Sequence, residues 1–159
     1  ELTPADQARV RLHLIGTGPE KGRLRRMVEE AALETAVVIS EWMPRKQVIE
    51  TFREAAVFSF PSHEGAGMVV PEAMSYGVPV ICLDNYGPGE YVHPSSELKV
   101  AHADYQTTVE NLAYCLRKLF VAPRFYAYES ALAEQRFAEL LRWDIKGEQL
   151  RDVYNSLVA

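Results

Sequence analysis

The sequence predicts an α/β fold: a parallel sheet with helices on both faces, followed by a helical C-terminal part. Three observations predict it. Short apolar runs alternate with segments of about 10 to 15 residues whose apolar positions recur at helical spacing. Glycine, proline or aspartate stands at the ends of most of those runs, where a chain leaving a strand needs a turn. Beyond about Ala103 only helical periodicity remains.

The elements follow in order. "VRLHLIG", residues 10–16, alternates and is rich in branched residues, so it reads as a strand ending at Gly16. The turn cluster "GTGPEKG" leads into a helix with Leu24, Met27, Val28, Ala31 and Ala32 on one stripe. "AVVIS" (36–40) is a short buried strand, and "PRKQVIETFREA" (44–55) a helix that opens with proline, where a missing N–H costs little. "AVFSF" (56–60) is a strand stopped by Pro61. "VPEAMSYG" is a helix ending at Gly77, a good C-terminal residue. "VPVICLD" is the next strand, "NYGPGE" a loop and "LKV" (98–100) a last short strand. Three helices follow, in 105–122, 128–143 and 146–158. In such folds ligands bind where loops leave the carboxyl ends of the strands. Those loops hold Gly16 to Gly18, Glu41 to Pro44, Pro61 to Gly67, and Asp84 to Glu90.

Bulk properties narrow the function. A length of 159 residues with 48% hydrophobic residues fits one domain with a real core. A net charge of −5 argues against a nucleic-acid partner, which needs a clustered basic surface. No apolar run approaches the roughly 20 residues of a membrane span. Cys82 and Cys115 lie in apolar patterns and read as buried thiols, which makes the cytoplasm the expected compartment. The four histidines are scattered, so no metal site is expected. His13, inside an apolar strand, reads as a satisfied core residue, and Trp42 as half-buried packing. The opening "ELTPADQARV" lacks an initiator methionine and reaches a strand almost at once, as if entered midway in a longer chain.

One stretch, "SFPSHEGAGMVVPEAMSYGVPV" (59–80), carries chemistry. Glu64 and Glu72 stand with seven residues between them, around a turn with two glycines and no other charge. Backbone N–H groups at a helix start are unpaired and partly positive, so this segment suits an anion, commonly phosphate. Gly65 and Gly67 let the backbone approach it closely. Glu64 before the turn and Glu72 on the helix can each accept from hydroxyl pairs. A phosphate flanked by two diol acceptors is what a nucleotide sugar requires. Residue by residue, the alternative is two solvated glutamates. His63 and Asp84 border the same cleft by topology, whereas Gly16, Gly18, Gly87 and Gly89 serve turn structure or the cleft.

The stretch resembles the signature of retaining glycosyltransferases of the GT-B fold, the "glycosyl transferases group 1" family (family 4). The matching residues are Pro61-Ser62, Glu64-Gly65-Ala66-Gly67, Glu72-Ala73-Met74, Gly77 and Pro79-Val80. "LHLIGTGPEKGRLRRM", "YGPGEYV" and "WDIKGEQLRDVY" look like the family's flanking segments, so the likeness spans nearly the whole chain. It implies the Rossmann-like, C-terminal half of a GT-B fold, with residues 1–159 as one nucleotide-sugar-binding domain and 104–159 as its helical part. It also implies roles. Glu64 would sit at the reaction centre against the transferred sugar. The backbone of Gly65, Ala66, Gly67, Met68 and Val69 would bind sugar hydroxyls and diphosphate. Glu72 would hold the ribose, and the loop Trp42-Met43-Pro44 would lie beside the base, with no stacking role given to Trp42. The implied reaction is hexosyl transfer in polysaccharide or glycoconjugate synthesis, without metal or cofactor, on a glycan or lipid-linked acceptor held by another domain. The full-length protein would be cytoplasmic, peripheral to the inner face of the membrane.

Two departures matter. Ala66 replaces the family's usual aromatic residue; because the backbone does the binding there, little loss of phosphate recognition is expected, while the smaller side chain alters the sugar pocket. The family's preceding strand and its diphosphate-neutralising arginine and lysine have no counterpart here, and Lys21-Gly22 comes too late in order to supply them. This chain alone is therefore expected to be inactive, with open sheet edges that invite self-association. A non-catalytic nucleotide-sugar-binding or assembly domain remains the alternative. A glycosidase needs carboxyls about 5 to 5.5 Å apart across one bond, which a phosphate-type turn does not suit. A hydride-transferring enzyme would need a third glycine after "GTGP".

Overall fold

The computed structural model describes residues 3–158 and divides into two compact units, Glu1–Val48 and Ile49–Ala159. The first holds α1 (Pro4–Gln7), β1 (Leu12–Ile15), α2 (Lys21–Glu30) and β2 (Val37–Ser40). β1 and β2 pair in parallel, from Leu12 opposite Val37 to Ile15 opposite Ser40. The Lys21 ammonium at the start of α2 lies 2.5 Å from Glu41 Oε1. That hydrogen bond, and then the lysine charge, hold the Glu41 carboxyl below its ordinary range. Lys21 is thus engaged within its own unit. Three expectations fail here. The strand at 36–40, read as buried, is only partly covered, with Val38 51% exposed. His13 is exposed, not core, although its Nε2 meets Ser40 Oγ at 2.7 Å. Trp42 is 75% exposed instead of half-buried. A two-stranded sheet offers little to be buried by, and in β1 only Leu14 is partly covered. α3 (Arg45–Glu54) runs across the division between the units.

The second unit contains β3 (Phe58–Phe60), α4 (Val69–Met74), β4 (Val80–Leu83), α5 (Pro88–Tyr91) and β5 (Lys99–Val100). The strands pair in parallel in the order β3-β4-β5, Phe58 opposite Val80 and Cys82 opposite Lys99. Parallel sheets with helices on both faces are thus what the alternating pattern produces. β4 shows why. All four of its residues are buried, as expected of an unbroken apolar strand covered on both sides. Ile81 and Leu83 cluster with Leu98, Val100 and, from α6 (Tyr105–Val121), Cys115 and Leu119. Val80 and Cys82 point the other way, as the two-residue repeat requires. Burial pushes the Cys82 thiol up to about 12, so it is an inert core residue. Both cysteines are free and buried.

The segment after Ala103 is helical but segmented differently from the periodicity. Asp104 caps α6 by accepting from Thr107 N (3.0 Å) and Thr107 Oγ1 (2.6 Å). Pro123 opens α7 (Pro123–Arg136), which passes into a π-helical turn over Phe137–Leu141. α8 (Trp143–Val158) then leaves Leu150, Val153, Tyr154 and Leu157 exposed. No described helix is long and apolar enough to cross a membrane.

α7 is the buttress of this unit. Its Glu129, 2% exposed, accepts from Ser96 Oγ (2.6 Å) and Glu97 N (3.0 Å). Ser130 Oγ donates to Gly77 O (2.7 Å) at the end of α4. Arg136 Nε and Nη2 donate to Tyr91 O (3.1 Å) and Glu90 O (2.9 Å) at the end of α5. Gly77 itself closes α4 with φ +67. Its N–H reaches Met74 O and that of Val78 reaches Ala73 O, the paired bonds of a Schellman turn.

Truncating Glu129 to alanine leaves a buried hydroxyl and a backbone N–H without their acceptor. Glu129→Ala is expected to lower unfolding free energy in urea by roughly 1–3 kcal/mol. Glu129→Gln, which keeps an acceptor oxygen, should lose clearly less.

Candidate functional site

β3 and β4 are parallel neighbours, so their carboxyl-terminal loops emerge side by side. The first loop runs from Pro61 to Met68 and enters α4; the second runs from Asp84 to Gly87 and enters α5. The loops touch closely. Gly87 has φ +76, and a Cβ placed on it would lie 2.4 Å from Gly65 O and 2.9 Å from Glu64 O. Gly67 has φ +57, and a Cβ there would meet Pro88 Cγ at 2.9 Å. Only glycine fits both the backbone angle and the space at these positions. Asn85 adds a side-chain tie. Its Nδ2 donates to Ser62 O (3.3 Å) and lies 3.0 Å from His63 Nδ1, while its buried Oδ1 has no partner among the described residues. The His63 ring packs edge-on against His102, centroids 5.1 Å apart.

The turn held in this way presents donors. The backbone N–H groups of Gly65, Ala66, Gly67, Met68 and Val69 reach no acceptor among the described residues. Val70 N–H donates to Gly67 O (2.8 Å) and Glu72 N–H to Met68 O (3.4 Å), which starts α4. No side chain caps it. Glu64 is exposed and makes no hydrogen bond or ion pair with a described residue. Its Oε1 lies 3.5 Å from the Cβ position of Gly67, so the carboxylate lies beside the turn. Glu72 is half-buried in the first turn of α4, whose Val70, Pro71, Ala73 and Met74 are buried. That burial fixes the helix that carries Glu72. A chain of donors with an unpaired carboxylate at one end can hold an anionic group bonded to a hydroxyl-bearing one.

The structure therefore brings Glu64, Gly65, Ala66, Gly67, Met68, Val69 and Glu72 onto one continuous turn and helix. His63 and Asp84 border it, Asp84 paired with Lys99 (Oδ1 to Nζ, 3.6 Å). Gly16, Gly18 and Trp42 belong to the other unit. Gly16 N–H extends the β1–β2 pairing to Ser40 O (3.1 Å), and Gly18 has open space where a Cβ would stand. Gly87 and Gly89 are packed glycines, Gly89 against Leu83 O and the Asp84 side chain. Sequence reasoning missed Asn85, which reads as an ordinary turn residue until its partners 22 and 23 positions away are known. It also missed α5, whose proline at the first position was the available signal. Among the described residues no group of three metal-ligating side chains occurs.

Comparison with known proteins gives the family. Residues 1–120 match the profile of Glycosyl transferases group 1. Over 153 residues the chain is 28% identical to a GDP-mannose-dependent monoacylated alpha-(1-6)-phosphatidylinositol monomannoside mannosyltransferase of Corynebacterium glutamicum. That alignment covers 91% of this chain and 39% of the relative, so the chain spans well under half of that protein. Its fold is similar to that of TarM of S. aureus, solved as a G117R mutant with Fondaparinux, alpha-GlcNAc-glycerol and UDP. The TM-score is 0.73 at 20% identity, over 95% of this chain and 31% of that one. Sucrose-phosphate synthase of Thermosynechococcus elongatus gives 0.74 at 23%, over 97% and 41%.

The contact between the two loops is open to a direct test. Gly87→Ala should lower stability by roughly 1–3 kcal/mol, from the positive φ and the clash with two carbonyls. It should also move the amide NMR signals of residues 64–69. Gly22→Ala, at a site with nothing within 4 Å, should be neutral or slightly stabilising and leave those signals in place.

Proposed function

The chain belongs to the glycosyl transferases group 1 family, and from that premise we propose that it is the donor-binding domain of a retaining glycosyltransferase. Its ligand is a nucleoside-diphosphate sugar. The full-length protein transfers the sugar to a hydroxyl of a glycan or lipid-linked acceptor on the cytoplasmic side of a membrane. The observation that carries the reading is the row of N–H groups from Gly65 to Val69 with no acceptor among the described residues, beside a Glu64 carboxylate that pairs with none of them.

Each part has a role. The N–H groups bind the diphosphate, which gains negative charge as the anomeric C–O bond breaks and the bond's electron pair moves to the leaving oxygen. Donors already fixed in place stabilise that charge at no reorganisation cost. The acceptor hydroxyl oxygen forms the new bond to the anomeric carbon, and its proton goes to the departing phosphate. Glu64 accepts from sugar hydroxyls and supports positive charge at the anomeric carbon in the transition state. Glu72 accepts from the ribose diol. Ala66 in place of a bulkier residue leaves space over the turn for the sugar.

The test is ligand-observed NMR on this chain with UDP, GDP and ADP in turn. One nucleotide should bind, and Glu72→Ala should abolish the signal. Equal binding by wild type and Glu72→Ala, or no binding of any of the three, would contradict the assignment. In the full-length enzyme Glu64→Ala should lower kcat by about 10²-fold or more with little change in donor KM, because it acts in the transition state.

A further inference from the structure

We propose that His63 donates its Nε2 hydrogen to a hydroxyl of the transferred sugar, and that Asn85 is the positioning residue that keeps the hydrogen on that nitrogen. The proposal rests on the donor reading given above and deepens it by naming a residue that discriminates between sugars. His63, Asn85 and His102 lie on the loops that follow β3, β4 and β5, three neighbouring strands of one parallel sheet. His63 is exposed and immediately precedes Glu64. It is held from two sides. Asn85 Nδ2 lies 3.0 Å from its Nδ1, and the His102 ring packs edge-on with centroids 5.1 Å apart. Its Nε2 has no hydrogen-bond partner among the described residues.

The hydrogen bonds around Asn85 fix the tautomer. Its amide has two orientations, and Ser62 O, which can only accept, selects one of them. With Nδ2 toward Ser62 O (3.3 Å), the second hydrogen of the same nitrogen faces His63 Nδ1. The opposite orientation would set two oxygens face to face. It would also strand both amide hydrogens in the buried position now held by Oδ1, which has no partner among the described residues. His63 Nδ1 therefore accepts, the ring is neutral, and its one hydrogen is on Nε2. A neutral ring adds no charge for a phosphate, but it matches a hydroxyl oxygen. Position along the turn agrees. On the donor reading Glu64 meets the sugar, the N–H groups of 65–69 the diphosphate and Glu72 the ribose. The residue before Glu64 thus stands at the sugar end, away from the phosphates. Glu64 can only accept from sugar hydroxyls, whose own lone pairs still need a donor, and His63 is placed to supply one. A site that donates to a particular hydroxyl discriminates against sugars that lack it.

The test has two arms, both on this chain. Long-range ¹⁵N–¹H NMR of the imidazoles at about pH 8, where histidine is ordinarily neutral, reads the tautomer without any ligand. His63 should carry its hydrogen on Nε2, and Asn85→Asp, which offers only acceptors, should move it to Nδ1. A mixed tautomer in the wild type, or no response to Asn85→Asp, would overturn the positioning role. The second arm compares calorimetric affinities within pairs that differ by the sugar: UDP and UDP-glucose, GDP and GDP-mannose, ADP and ADP-glucose. In the pair that binds, His63→Asn keeps an acceptor for Asn85 but loses the Nε2 donor. It should shift the ratio of the two affinities by about three- to tenfold against the sugar-bearing member. His63→Gln, which retains a donor at that reach, should restore most of the ratio. An unchanged ratio in His63→Asn would reduce His63 to a structural tie and overturn the sugar contact alone. Failure of all six ligands to bind would instead sink the donor reading, and the sugar contact with it, whatever the tautomer.

Discussion

The candidate site rests on one close approach, that of the backbone at Gly87, where a Cβ would stand 2.4 Å from Gly65 O and 2.9 Å from Glu64 O. Parallel pairing of β3 and β4 forces the loops that follow them into the same space. With a side chain at position 87 the loops would have to separate, and the turn at 64–68 would lose its mould. With glycine, Pro88 closes against Gly67, and Asn85 reaches back to Ser62 and His63. The result is a turn whose shape is imposed from outside. Its own N–H groups are not consumed in holding it, so they remain available as donors. Preorganisation of this kind gives a backbone anion site its value, since the cost of orienting the dipoles is met during folding.

The C-terminal helices extend that logic across the second unit. α7 fixes the far ends of both short helices that flank the site. Ser130 holds the end of α4 at Gly77, and Arg136 holds the end of α5 at Glu90 and Tyr91. Helices of six and four residues cannot persist by their own hydrogen bonds. They stand because buried residues anchor one side and α7 anchors the end. Glu129, buried and bonded to Ser96 and Glu97, sets the depth of α7 against the chain before β5.

Much of this was legible in the residues. Val80-Ile81-Cys82-Leu83 is apolar at every position, so it had to be covered on both faces, and it is. Gly77, the last residue of the helical pattern "VPEAMSYG", reads as a C-terminal cap, and it is one, with φ +67. The spacing of Glu64, the two glycines and Glu72 carried the family. What was not legible depended on tertiary context. His13 is flanked by Leu12 and Leu14 and Trp42 is itself a large apolar residue, but burial depends on what packs above them, and two paired strands supply too little. The link from Asn85 to His63 joins residues brought together only by strand pairing. The π-helical turn at Phe137–Leu141 interrupts a segment whose periodicity reads as one continuous helix. Local spacing records which face a residue is on; it does not record whether that face is covered.

The central claim is that the free N–H groups of the turn hold a diphosphate. The most direct measurement is a ¹⁵N–¹H correlation titration of this chain with UDP, GDP and ADP in turn. The account predicts that one nucleotide shifts the amides of Gly65, Ala66, Gly67, Met68 and Val69 more than any others, as new hydrogen bonds form. Shifts that spare those five amides, or fall mainly on another part of the chain, would contradict it.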